Sequence, residues 1–139
     1  MEYKTIALSN TQTTMEELLK KFCQIENNNE IMINHDYLKK IKQYTSETTI
    51  LNYMIFIIDS VLKKHTTFIA NVYIDNLTLL DIDKNKYFIQ NMCHILKEKF
   101  PDKLEICYIH NTPYLFSQLY SLLKVWVDKK TLAKIKLRN

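Results

Sequence analysis

Ser117, His110 and Asp102 are the residue types of a nucleophilic hydrolase, and Cys107 with His110, or Cys93 with His94, are types that bind zinc. Residue type alone does not make a site. Cys107 and His110 stand three apart in a stretch that reads as a strand, so their side chains point to opposite faces. Cys93 and His94 are neighbours on a helical stretch and diverge by about 100°. Nothing in the spacing of Ser117, His110 and Asp102 supports a nucleophilic site, and His35 and His65 read as loop or cap residues. No catalytic residue, metal ligand or cofactor is expected, and the chain reads as a non-enzyme.

The sequence has no glycine at all, and this removes whole function classes. A phosphate-cradling loop needs glycine so that backbone N–H groups can approach the phosphates closely. Walker-type NTPases, dinucleotide-binding Rossmann domains, glycine-rich-loop kinases and nucleophile-elbow hydrolases are therefore not expected. Positive φ angles must fall mainly to asparagine and aspartate. Asn27, Asn28, Asn29, Asn34, Asn76 and Asn85 stand where turns are expected.

The charged residues give a mild basic bias, +4 over 139 residues. Lys124, Lys129, Lys130, Lys134, Lys136 and Arg138 concentrate it near the C-terminus. This suits an anionic membrane surface but falls short of a nucleic-acid-binding composition, and nucleic acid is not expected as a partner. The three cysteines, Cys23, Cys93 and Cys107, are an odd, widely spaced set with no basic-then-apolar leader before them. They point to a reduced, cytoplasmic setting, peripheral at membranes if the basic cluster engages them. The most apolar run, Tyr53–Ile58, is bounded by Asn52 and Asp59 and is far short of the roughly 20 residues of a membrane span.

An apolar share of 47% with 24% charged residues suits one folded domain over residues 1–139. Thr13 and Thr14 before Glu16 and Glu17 form overlapping capping boxes that open a helix to about Ile25. Lys4–Leu8 and Glu30–Asn34 are predicted as short strands around it, with a polar turn at Glu26–Glu30 and a short helix at Asp36–Tyr44. Ser46–Lys64 carries Ile50, Met54, Ile57 and Val61 at helical spacing, widened by Leu51, Ile55, Ile58 and Leu62. Thr67–Asp75 alternates as a strand covered on both faces, Lys84–Lys99 is an amphipathic helix, and Leu104–His110 is a second strand. Strand, helix, strand predicts parallel pairing with a right-handed crossover. Thr112 with Pro113 opens another helix, whose buried stripe is Leu115, Phe116, Leu119, Leu122, Leu123 and Trp126. A last helical turn runs from Asp128 to about Ile135.

The stretch from Phe100 to Ile135 resembles the most recognisable part of CRAL-TRIO domains. Phe100, Pro101 and Asp102 match the aromatic-proline-acid turn, and Asn111, Thr112, Pro113 and Tyr114 match the end of the following strand. Phe116, Lys124 and Trp126 match the apolar helix; Asp128, Thr131, Lys134 and Ile135 match the closing segment. Val72–Thr78 is similar to the family's strand ending in an acid, although its aspartate-x-x-glycine turn is here Asp75-Asn76-Leu77-Thr78.

The resemblance implies an α/β sandwich in which a largely parallel sheet floors an apolar pocket. It implies a non-catalytic module that binds phospholipid, phosphoinositide or another hydrophobic ligand. Asp102 and Lys134 fall where the family contacts the headgroup, lysine as a point charge for phosphate and the acid as its orienting partner. Ala70 and Val72 replace hydroxyl-bearing residues of that site. By this reading the chain stops before the strand and gating helix that close the pocket, which leaves an apolar face for a partner, a homodimer being one solution. A divergent branch of the family instead serves as a scaffold for small GTPases or their regulators, and the strand-helix spacing fits that alternative equally well.

Overall fold

The computed structural model describes residues 14–110 and 113–138. Helix α1 (residues 14–22) leads into strands β1 (Cys23–Asn27) and β2 (Glu30–Asn34). A 3-10 turn (His35–Tyr37) and α2 (Leu38–Ile41) precede α3 (Glu47–Leu62), β3 (Phe68–Tyr73), α4 (Leu79–Lys84) and α5 (Lys86–Lys99). Then come β4 (Leu104–His110), α6 (Pro113–Trp126), α7 (Lys129–Leu132) and β5 (Ile135–Arg138).

The strands form one sheet in the order β1-β2-β3-β4-β5. The β1–β2 pair is antiparallel; β2–β3, β3–β4 and β4–β5 are all parallel. Each parallel step is a crossover to the next strand on the same side, and right-handed crossovers advancing in one direction put every connecting helix on the same face. Met54 and Ile58 of α3, Ile89 and Leu96 of α5, and Leu119 and Leu123 of α6 accordingly meet one sheet face, at Ile33, Val72 and Ile109. Val72 pairs with Ile33 on one side and with Ile109 on the other, so the three form a continuous apolar row. The other face carries Met32, Ile69, Tyr73, Tyr108 and His110, all half-buried.

Local chemistry sets the ends of the elements. Ser46 Oγ accepts from the Thr49 N–H at 3.2 Å and starts α3. A complete capping box between Thr78 and Asp81 starts α4. The turn that leads into α4 has no glycine; it is held instead by Asp36, whose two carboxylate oxygens accept from the Asn76 backbone N–H and side-chain amide, both at 3.1 Å. Positive φ falls on Asn28 (51°) and Asp102 (60°), as a sequence without glycine requires.

Several expectations need correction. The first helix stops at residue 22 rather than Ile25, because Cys23, Gln24 and Ile25 pair with Ile33, Met32 and Ile31 as an edge strand. The polar turn shrinks to Asn28 and Asn29. Asp36–Tyr44 is a 3-10 turn followed by the short α2. The crossover between β3 and β4 holds two helices, α4 having gone unforeseen. Ile135 does not end a helical turn but opens β5, so the chain does not stop before its next strand. The strand expected at Lys4–Leu8 and the Thr112 cap lie outside the described residues.

The core is one cluster in which Phe22, Ile31, Ile41 and Ile50 are fully buried. Ile31→Ala on the covered face is expected to cost about 2–5 kcal/mol. Phe56→Ala, at a side chain 63% exposed on α3, should stay within about 0.5 kcal/mol of the parent. Urea denaturation of both variants checks the pair.

Candidate functional site

Between the covered face of the sheet and the helix layer lies a cavity of about 350 Å³. That is the size range of small-molecule sites. Its floor is Ala70 and Val72 of β3 with Cys107 and Ile109 of β4, and its walls come from α3, α5 and α6. The floor is apolar where the resemblance had implied hydroxyls.

Charged groups gather at one end, the edge where β4 and β5 begin. Lys97, Asp102, Asp128, Thr131 and Lys134 all line this rim. Asp102 sits in the Pro101-Asp102 turn at left-handed φ, and its carboxylate accepts from Lys130 Nζ at 2.8 Å in an exposed ion pair. That hydrogen bond and the Lys130 charge, with Lys134 adding to them, hold the Asp102 carboxyl below its ordinary range. Asp128 Oδ1 accepts from the Thr131 N–H at 2.7 Å and caps α7. Its carboxyl is likewise lowered, chiefly by that bond, with Lys97 and Lys130 contributing.

Lys134 is half-buried, and its Nζ donates to the Leu104 carbonyl at 2.6 Å. Its own carbonyl accepts from the Cys107 N–H, so its backbone is fixed at the entry to β5. Asp102 and Lys134 do share one rim, but the hydrogen-bonded partner of Asp102 is Lys130. An ammonium has three protons and Leu104 takes one. Donor capacity toward a ligand therefore remains on Lys134, while both rim carboxylates already hold partners.

The remaining basic residues divide between two surfaces. Lys124 is exposed on α6, and Lys129 and Lys130 lie in the first turn of α7. Lys136 and Arg138 pair in register with Tyr108 and His110, on the sheet face opposite the cavity. The Arg138 guanidinium lies 4.0 Å from the centre of the Tyr108 ring.

Cys107 faces the cavity, whereas His110 stacks on Tyr73 with ring centres 4.2 Å apart on the opposite face. His110 Nε2 is 3.0 Å from Asn71 Oδ1, which explains how a buried asparagine is tolerated there. Asp102 and His110 lie at opposite ends of β4, on the order of 20 Å apart at strand rise, so they cannot act together with Ser117. Burial pushes the thiols of Cys23 and Cys107 up to about 12 and that of Cys93 to about 11. None of them is a ready thiolate. Among the described residues no group of three His, Cys, Asp or Glu side chains is placed to hold a metal ion, and no helix is long and apolar enough to cross a membrane.

The sequence reading missed two groups. Lys97 carried no signal beyond its charge on an amphipathic helix. His35 was read as a loop or cap residue, yet it is 6% exposed and lines the cavity at the far end from Lys134. The rings of Phe22 and Phe88 stand edge-on to it, at 5.9 and 6.3 Å.

A one-sided α/β sandwich with an apolar cavity and a charged rim is the class of domain that these elements build. The family model described as the CRAL/TRIO domain matches residues 22–139, and the chain belongs to that family of lipid-binding domains. No curated protein matches the chain. Among solved structures, the crystal structure of Sfh5 is similar to it with a TM-score of 0.68 at 17% identity, which bears on the fold alone. The match covers 84% of this chain, which spans 48% of that one.

Burial, aided by the nearby Lys42 charge, lowers the His35 pKa from 6.5 to about 4. Between those values the unfolded chain binds the proton that the folded one refuses. The stability held above pH 6.5 is therefore lost as pH falls toward 4, by about 3 kcal/mol at ~1.4 kcal/mol per unit. His35→Gln should flatten the fall of the urea midpoint between pH 7 and 4.

Proposed function

We propose that the protein binds an amphiphilic lipid in the cavity, with the apolar part on the sheet floor and an anionic head, phosphate foremost, at Lys134. The observation that carries this is the state of the rim. Both carboxylates there are engaged, Asp102 by Lys130 and Asp128 by the α7 backbone. The half-buried Lys134 keeps unused donors at the mouth of an apolar space. A charge-assisted hydrogen bond made there is partly shielded from water, which strengthens it over a surface contact. Lys97, exposed on the same rim, adds a second positive charge.

Asp102 acts in this reading through Lys130, holding that ammonium beside the rim rather than gripping a headgroup itself. The exposed lysines, Lys124 and Lys129 included, supply at most diffuse attraction to an anionic surface.

Titration with phosphatidylcholine vesicles, with and without a phosphoinositide, tests the reading. Phosphoinositide should be preferred, and Lys134→Ala should weaken binding roughly tenfold or more, the worth of a charged hydrogen bond. Lys129→Ala should cost no more than the roughly five-fold of one surface lysine. Equal losses would reduce Lys134 to a surface charge. Absence of any lipid, both in the titration and in mass spectrometry of the purified protein, would favour a protein-interaction scaffold.

A further inference from the structure

His35 stands apart from every other polar group of the cavity. Among the described residues the charged side chains of the wall gather at the rim where β4 and β5 begin, whereas His35 follows the last residue of β2, at the opposite edge of the sheet. Asn34 aligns through Tyr73 and His110 with Arg138, and Lys134 precedes Ile135, which aligns through Cys107 and Ala70 with Ile31. The two side chains are thus separated by five rows along the strands and three strands across. At 3.3 Å per row and 4.8 Å per strand, their backbones are on the order of 20 Å apart.

The ring is 94% buried, being 6% exposed, and its side chain makes no hydrogen bond to any described residue. Among the described residues no sealed side-chain nitrogen or oxygen lacks a partner. The unbonded ring nitrogens are therefore not fully sealed, and the residue they belong to lines the cavity. The edge contacts with Phe22 and Phe88 hold the plane of the ring. A buried polar group left facing apolar space is costly, and native structures normally answer it with a partner.

We propose that His35 is a second ligand contact, taking a neutral oxygen function, a hydroxyl or carbonyl, that a hydrophobic ligand carries far from its anionic head. This rests on the head lying at Lys134. The imidazole is neutral at ordinary pH and so offers one donor and one acceptor, a match for a hydroxyl in either sense. A charged group is the wrong partner: Lys42 is already committed to Glu47 and Asn85 and lies outside the cavity lining, and no other charge stands at this end of the wall among the described residues.

Three probes separate the claims: palmitate, ω-hydroxypalmitate and hexadecanol, each titrated against the purified chain. The expected result is that ω-hydroxypalmitate binds about five-fold tighter than palmitate, the worth of one neutral hydrogen bond. His35→Phe should abolish that ratio, read as ω-hydroxypalmitate against palmitate within the same variant, and His35→Gln, which keeps a donor and an acceptor, should retain part of it. Equal binding of the two acids by the parent chain overturns the proposal and leaves His35 a hydrated core residue, whatever the variants do. Failure of both acids while hexadecanol binds in a His35-dependent way would remove the head contact at Lys134 and keep the contact at His35. Failure of all three would overturn both.

Discussion

Every connection after β2 returns its strand to the same side of the one before, and this single direction of travel organises the molecule. Right-handed crossovers then have no choice of face, so six helices and the 3-10 turn share one layer. The covered face can be apolar throughout, and its neighbouring rows supply a broad hydrophobic floor. Ala70 sits in the middle of this floor, where its short side chain leaves room beneath the helices. The cavity is thus a product of strand succession combined with small residues at the middle of the floor.

The electrostatics of that space divide by position. At the rim, where water reaches, carboxylates and ammoniums coexist, and their hydrogen bonds decide which charge remains to be answered. At the other end His35 is kept neutral, since burial there disfavours an imidazolium and Lys42 opposes it further. One wall of the molecule therefore carries charged side chains at one end and a neutral imidazole at the other.

Much of this was legible in the sequence, and the exceptions have physical reasons. α3, β3, β4 and α6 were readable because each runs long enough for its apolar period to repeat and packs that period inward. β1 was hidden because, beyond Cys23, its residues are exposed at a sheet edge, so Gln24 to Asn27 alternate nothing. β5 spans four residues and carries only two turns of its alternation, too few to separate it from the helix before it. Asp102 and Lys134 came from motif resemblance; both line one rim of the cavity, and the resemblance could not say that Lys130 would take the carboxylate. His35 was beyond reach for another reason. Its character comes from Phe22 and Phe88, brought to it by tertiary packing, and a lone histidine after a short strand carries no mark of such burial.

The two borders of the sheet bear on how the protein behaves at high concentration. A border strand offers unpaired backbone groups, and an undefended one templates stacking with other chains. Here the β1 border is broken by a register irregularity between Ile25 and Asn27, which interrupts the run of groups a second chain would need. The β5 border is four residues long and half of them are cationic, Lys136 and Arg138, with the latter drawn over Tyr108. Among the described residues, charge and brevity on one side and a register irregularity on the other are features that discourage edge-to-edge pairing. Lys136 and Arg138 thus stand where border strands commonly carry charge, whatever the rest of the basic cluster meets.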